Sequence, residues 1–169
     1  MTLELYHSAY STCSQKVRLV LAEKELAFVS REINFATEDQ LDPEYLRINP
    51  NGVVHSGRGF AAPELESSER QLCQTVDRME TALAESDWLL GDLFSLADCC
   101  VGPLIDRMDD LGMANLWSDR PRFTEWLARL RRRPSFCRAF YNGSRLSERP
   151  EFRDLVVESR NSRRQAESK

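Results

Sequence analysis

No stretch of this 169-residue chain is apolar for long enough to cross a bilayer, and the N-terminus has neither the basic start nor the apolar run of a secretory signal. A membrane partner and an export route are therefore not expected. An excess of one charge is also missing: 23 Lys and Arg stand against 27 Asp and Glu, interspersed to a net charge of −4. That balance offers no general field for a nucleic acid backbone. The run Arg129, Arg131, Arg132 and Arg133 is short and lacks interleaved stacking aromatics, so it reads as a solvated helix end complementing the helix dipole. Metal-ligand spacing is absent too. The five cysteines (Cys13, Cys73, Cys99, Cys100 and Cys137) are odd in number and are expected mostly on apolar helix faces, packed as small reduced hydrophobes. A cytoplasmic location fits reduced thiols. There is no internal repeat.

What is present is a chain with 41% hydrophobic residues, enough to bury a core in one ordinary domain or two small ones. Leu3, Leu5 and His7 alternate with Glu4 and Tyr6 as in a half-buried strand; Val17, Val20, Leu21 and Lys24 then shift to helical spacing, and Phe28 to Asn34 returns to a strand pattern. This is a β-α-β unit, whose strands pair in parallel through a right-handed crossover. Asp42 before Pro43 signals the start of a short helix reaching about Ile48, because Asp accepts from the exposed N–H groups and Pro has no donor to lose there.

From Ser68 onward the pattern is helical throughout. Leu72, Val76, Met79 and Leu83 repeat at helical spacing, and Ser95 with Asp98 forms a capping box for a helix with an expected apolar face of Leu96, Cys99, Cys100 and Leu104 and a kink at Pro103. Pro121 opens a helix carrying Phe123, Trp126, Leu127 and Leu130; Pro134 starts a last turn through Phe136 and Phe140. The expected division is 1–60, 61–142 and a polar tail over 143–169, with a helix around Glu151 to Glu158 and disorder from Ser159.

Chemistry concentrates where the first strand meets the first helix, at Tyr6 through Arg18. A helix start carries unpaired N–H groups and the positive end of the backbone dipole, so a thiolate placed there is stabilised. The segment Ser11-Thr12-Cys13-Ser14-Gln15-Lys16-Val17-Arg18-Leu19-Val20-Leu21 resembles the active-site segment of the glutathione transferase family, closest to zeta-type members, while omega-type relatives place a Cys at the position of Ser11. Pro43 to Gly52 and Gly91 to Asp98 resemble two further segments of that family in the same order. The resemblance implies a thioredoxin-like N-terminal α/β half and an all-α C-terminal half, with glutathione as co-substrate and a small hydrophobic electrophile as its acceptor. The family also suggests a homodimer, though through helices that are missing here.

The same resemblance exposes a gap. In the family a cis proline, two antiparallel strands and a helix follow the Asn-Pro-Asn-Gly turn, but here Val53-Val54 is followed by His55 and the helical half begins within about a dozen residues, where roughly thirty would be needed. A truncated thioredoxin-like β-α-β-α unit is expected, with marginal stability of its own and an open strand edge against which the helical half packs, the alternatives being pairing of that edge with a second copy or an internal segment lost from the sequence.

Each candidate site residue has a plain structural reading beside the functional one. By resemblance, Ser11 donates a hydrogen bond to the glutathione sulfur, which is worth about 1.5–3 kcal/mol and lowers the thiol pKa by roughly one to two units; otherwise it caps the helix. Cys13 is a second catalytic candidate, for mixed-disulfide chemistry, or else a small residue behind the turn. Thr12 and Arg18 are implied glutathione contacts, Arg18 otherwise belonging to a solvated face. Val54 is implied to hold the cysteinyl part through its backbone, although the non-proline His55 after it makes a cis bond cost about 2.5–4 kcal/mol. Glu66 and Ser67 imitate the glutamyl-binding pair at a helix start. Glu25 occupies a place where the family carries Gly. The expected function is glutathione conjugation or exchange with an activity that is weak or lost, the alternative being a noncatalytic protein-interaction module.

Overall fold

The computed structural model describes residues 2–50, 62–152 and 157. Strand β1 (Glu4–His7), helix α1 (Thr12–Glu23) and strand β2 (Val29–Glu32) form the β-α-β unit, with the strands parallel in the register Glu4 to Val29 through His7 to Glu32. Two 3-10 turns, at Phe35–Thr37 and Asp39–Leu41, lead into α2 (Pro43–Ile48), which Asp42 caps by accepting from Glu44 N–H at 2.8 Å. The helical half comprises α3 (Ala62–Ala82), α4 (Leu96–Asp110), α5 (Pro121–Arg131) and α6 (Pro134–Ala139).

The core sits in the helical half and reaches the α/β unit through Leu19 of α1, which is fully buried with Val76, Ile105, Phe123, Trp126 and Leu130. Helix α1 packs on α4 and α6, so the α/β unit is anchored to the helical half through α1. The capping box at Ser95 is present as the sequence predicts: Asp98 accepts from Ser95 N–H and from Ser95 Oγ, each at 2.9 Å. The same carboxylate, with no exposed surface, also accepts from Leu89 N–H at 3.1 Å and Trp126 Nε1 at 2.8 Å. One acidic residue thereby ties α4, α5 and the preceding loop together. Gly102 lets α4 and α5 approach, since a Cβ there would lie 2.3 Å from Leu130 Cδ2. Glu25, after α1, adopts φ of 53°, a left-handed conformation costing a residue with a side chain about 1–2 kcal/mol.

Several expectations need correction. Helix α3 starts at Ala62, before Ser68. On α4, Leu96, Cys100 and Leu104 are exposed, and the buried face is Asp98, Cys99, Gly102, Ile105, Asp106 and Asp110. Buried carboxylates decide that helix's orientation because each finds donors on neighbouring elements: Asp106 receives Arg131 from α5 and Arg145 from the C-terminal segment. The cysteines are mostly not interior, since Cys13, Cys100 and Cys137 are exposed and only Cys99 is buried. The arginine run is more than a solvated helix end, as Arg131 pairs with Asp106 and Asp109, and Arg133 pairs with Glu23 while lying over the Phe94 ring. The segment from Gly143 is polar, yet its first part folds back: Ser144 is buried, and 3-10 turns form at Leu146–Glu148 and Pro150–Phe152. Positions 153–156 and 158–169 of the expected tail lie outside the described residues.

Candidate functional site at the β1–α1 turn

Ser11 ends the turn out of β1 and caps α1, with extended backbone angles (φ −70°, ψ 123°) and a half-buried side chain. Its Oγ accepts from Ser14 N–H at 3.4 Å, while its own hydroxyl proton has no acceptor among the described residues. Ser14 answers from inside the helix, its Oγ accepting from Ser8 N–H at 3.3 Å. Thr12 and Cys13 occupy the first turn of α1, Thr12 half-buried and Cys13 exposed. The arrangement presents a hydroxyl donor at a helix N-terminus, where an anion is favoured.

Arg18 corrects the solvated-face reading of α1. It is 3% exposed, and its guanidinium donates to Ser8 O (3.2 Å), Ala9 O (2.7 Å), Ala139 O (2.9 Å) and His7 Nδ1 (3.0 Å), with Tyr141 packed over it. Burial presses this guanidinium below its ordinary range. The buried stripe of α1 is Gln15, Arg18 and Leu19, whereas Val17 is exposed, because carbonyls at the end of β1 and in the C-terminal segment draw the long polar side chains inward. Arg18 thus holds the backbone of the turn from beneath. It shows no direct face to an incoming ligand.

Glu66 and Ser67 lie in the second turn of α3, so their backbone N–H groups belong to the helix and offer no helix start to a carboxylate. Val54 and His55 lie outside the described residues. Ser11, Thr12, Cys13 and Arg18 are therefore gathered at one turn, and Glu66 and Ser67 sit on a separate element. A cleft of about 500 Å³ lies between the sheet and α2, lined by Tyr6, Ser30, Arg31, Tyr45 and Ile48, and Ser11 is not among its walls.

Sequence reasoning missed the groups around Tyr10. Phe152 meets its ring edge-on at 5.1 Å, Phe35 at 6.2 Å, and the Arg149 guanidinium lies 4.8 Å above it. Its carbonyl accepts from Arg107 Nη2 of α4. Gln15 Nε2 donates to Ser144 O at 2.7 Å. A polar Gln15 beside Arg18 and Leu19 on one stripe was a readable sign of a buried polar contact; nothing in the sequence pointed to Arg107.

Residues 10–58 match the family described as glutathione S-transferase, N-terminal domain, and residues 62–129 match glutathione S-transferase, C-terminal domain. Among curated relatives, glutathione S-transferase PARB of Nicotiana tabacum is 35% identical over 206 aligned positions, taking in 82% of this chain and 97% of the relative. Glutathione S-transferase TCHQD of Arabidopsis thaliana is 45% identical over 52 residues, which are 31% of this chain and only 20% of that protein's length. Among solved structures, a mutant of poplar glutathione transferase F1 superposes with a TM-score of 0.72 at 17% identity, covering 96% of this chain and 99% of that one. A glutathione transferase from Burkholderia graminis, solved with two glutathione molecules bound per subunit, gives 0.70 at 19% identity over 85% and 89% of the two chains. At these identities the structural likeness is one of fold, and it agrees with the matches to both domains. With its small α/β half and helical half in family order, the chain belongs to the glutathione transferase family.

Proposed function

We propose that this chain binds glutathione at the β1–α1 turn and passes its sulfur to a small hydrophobic electrophile, with slow turnover. The observation that carries the reading is the state of Ser11: its oxygen accepts from Ser14 N–H and its proton has no acceptor among the described residues, which leaves it to donate to a thiolate. In the reaction the glutathione thiol gives up its proton, the sulfur forms a bond to carbon, and the leaving group departs with the bonding electron pair. Arg18 serves by holding the turn. Thr12 and Val54 remain the proposed side-chain and backbone contacts to the tripeptide, while the place of Glu66 and Ser67 within α3, after its first turn, gives that pair no start-of-helix role. The chemistry is that of a reducing compartment, the cytoplasm by proposal.

Slow turnover and a shortened thioredoxin-like half belong to the same proposal. They are supported by the outer edge of β1, with which no strand pairs among the described residues, by domain matches that stop at 58 and resume at 62, and by an alignment to PARB whose 206 positions exceed the 169 residues available here. Retention on immobilised glutathione and slow release of chloride from a chlorinated aromatic are the expected results. Ser11→Ala should cut the rate roughly tenfold or more, the loss of one hydrogen bond to a charged group. If the chain is neither retained nor stabilised by glutathione, a noncatalytic interaction module becomes the better reading; the exposed Leu90, Leu93, Leu96 and Leu104 favour that alternative. Activity lost in Cys13→Ser and kept in Ser11→Ala would instead indicate a thiol reductase working through Cys13.

A further inference from the structure

Three successive carbonyls lead into Ser11, and a guanidinium holds each of them. Arg18 takes Ser8 O and Ala9 O, and Arg107 takes Tyr10 O. The two arginines differ in origin. Arg18 belongs to α1, so it locks the turn to its own helix. Arg107 comes from α4, with a side chain 11% exposed, and it pairs with the buried Asp110 at 3.2 Å. Asp110 Oδ2 also accepts from Leu146 N–H at 2.8 Å and from Ser147 N–H at 3.4 Å. Arg107 is therefore the middle of a continuous polar path from the C-terminal 3-10 turn, through α4, to the carbonyl directly before Ser11. Two contacts run beside that path: Gln15 Nε2 to Ser144 O, and Phe152 with Arg149 against the Tyr10 ring.

We infer that Arg107 is a positioning residue for the glutathione site, setting where the Ser11 hydroxyl points and making that setting depend on the turn at Leu146 and Ser147. The inference rests on the reading of Ser11 as the donor to the thiolate. Tyr10 O and Ser11 N–H share one rigid peptide plane, so fixing that oxygen fixes the base from which the Ser11 side chain projects. A donor to a developing anion works over a narrow range, about 2.7–3.1 Å, and a misplacement of about 1 Å costs on the order of a hundredfold. Arg107 meets two acceptors with two nitrogens of one planar group, Tyr10 O through Nη2 and Asp110 through Nη1. A lysine has a single ammonium for both and replaces it only in part.

The test uses the full chain with glutathione as the probe, reading the ultraviolet absorbance of bound thiolate across pH together with the glutathione dissociation constant. Wild type should bind glutathione with a lowered thiol pKa. In Arg107→Gln that pKa should rise by about one unit, a tenfold loss of thiolate at a pH below it, with affinity changed by less than about threefold; Arg107→Lys should fall between. Leu146→Pro removes the N–H given to Asp110 and leaves Arg107 intact, and Arg145 before it is already extended (φ −101°, ψ 151°), as a residue preceding proline must be. It should shift the pKa in the same direction. A purely structural role would lower the melting temperature of Arg107→Gln and leave the bound-thiol pKa of the folded protein where it was, and that result overturns the inference. If Arg107→Gln does not fold, judged by near-ultraviolet circular dichroism, an unchanged pKa in Leu146→Pro overturns it equally. Failure of wild type itself to lower the thiol pKa refutes the Ser11 reading first, and the role of Arg107 falls with it.

Discussion

At the scale of single residues, the side chains beneath the site turn fix one another's protonation. Arginine has no acceptor, so Arg18 Nη1 must donate to His7 Nδ1, and His7 must carry its proton on Nε2, where it donates to Ser30 Oγ at 2.7 Å. His7 is 4% exposed, and burial, followed by the charge of Arg18, holds its pKa below the ordinary 6.5, with Glu32 opposing more weakly. A serine next to a histidine is the pairing of an activated nucleophile, but an imidazole that donates through Nε2 and faces a cation through Nδ1 is no base for Ser30. The consequence is a pH dependence of stability. The unfolded chain takes up a proton on His7 near pH 6.5, and the folded chain resists it to lower pH, so the unfolded state binds more protons in that window and is favoured as pH falls. Stability contributed at His7 should be complete above pH 6.5 and be lost as pH drops through the lower folded value. Denaturant titrations between pH 8 and 5 check this: His7→Gln should be less stable at pH 8 and decline less below 6.5. An equally steep decline in that variant would place the dependence elsewhere.

Secondary-structure elements were legible where a local signal also had a local cause. Asp42-Pro43, Ser95 with Asp98, Pro121 and Pro134 each mark a helix start, and all four hold: Asp42 and Ser95 accept from N–H groups close in sequence, while Pro121 and Pro134 stand in the first helical turn, where a missing donor costs nothing. Helix faces were read less well. The alternation of apolar residues on α4 proposed Leu96, Cys100 and Leu104 as interior, but Asp98, Asp106 and Asp110 claim that side through partners tens of residues away, which no local pattern displays. The carbonyl-holding roles of Arg18, named in the sequence only as a ligand contact or a solvated residue, and of Arg107 were hidden for the same reason, since the carbonyls they serve are remote from them in sequence or carry no side-chain signature. Ser11 was legible as a helix cap because that role follows from its position at a helix start. The long-range role of Asp98 can be measured. Asp98→Ala leaves the buried Trp126 indole N–H and the half-buried Ser95 and Leu89 N–H groups without their acceptor, at about 1–3 kcal/mol for a buried group left unsatisfied and less for the other two, so a loss of about 3 kcal/mol is expected. A cap acting alone is worth only about 1 kcal/mol. Chemical denaturation separates the two; a loss near the smaller figure would mean that Asp98 is a cap and nothing more.

For the whole molecule, the order of stability should follow from where the core lies. The bonds Val29 N–H to Leu3 O and Ile33 N–H to His7 O, each 2.8 Å, set the phase of the sheet, so Leu3, Leu5 and His7 turn their backbone toward β2. Glu4 and Tyr6 turn theirs the other way, and among the described residues no strand pairs with them. All four residues of β2 are exposed as well, and among the described residues the sheet is tied to the rest by Arg18 of α1, which donates to His7, and by the Tyr6–Tyr45 ring contact with α2. Two strands are fewer than an independent sheet normally needs. Cooperative stability must therefore come from the helices, and the sheet must open at lower cost than the bundle. Native-state hydrogen exchange should find the slowest amides in α4 and α5, at Ile105, Leu127 and Leu130, with α1 close behind because Leu19 lies in their core. The amides of Glu4 and Tyr6 should exchange fast, and those of β2 should exchange before α1. If Glu4 and Tyr6 are protected, something pairs with that edge, and the dependence on protein concentration says what: protection that grows with concentration means a second copy of the chain, and protection independent of it means another segment of the same chain. Fast exchange at both would leave the site turn resting on the helical half alone, consistent with a glutathione site that holds its hydroxyl in place and lacks much of its surrounding wall.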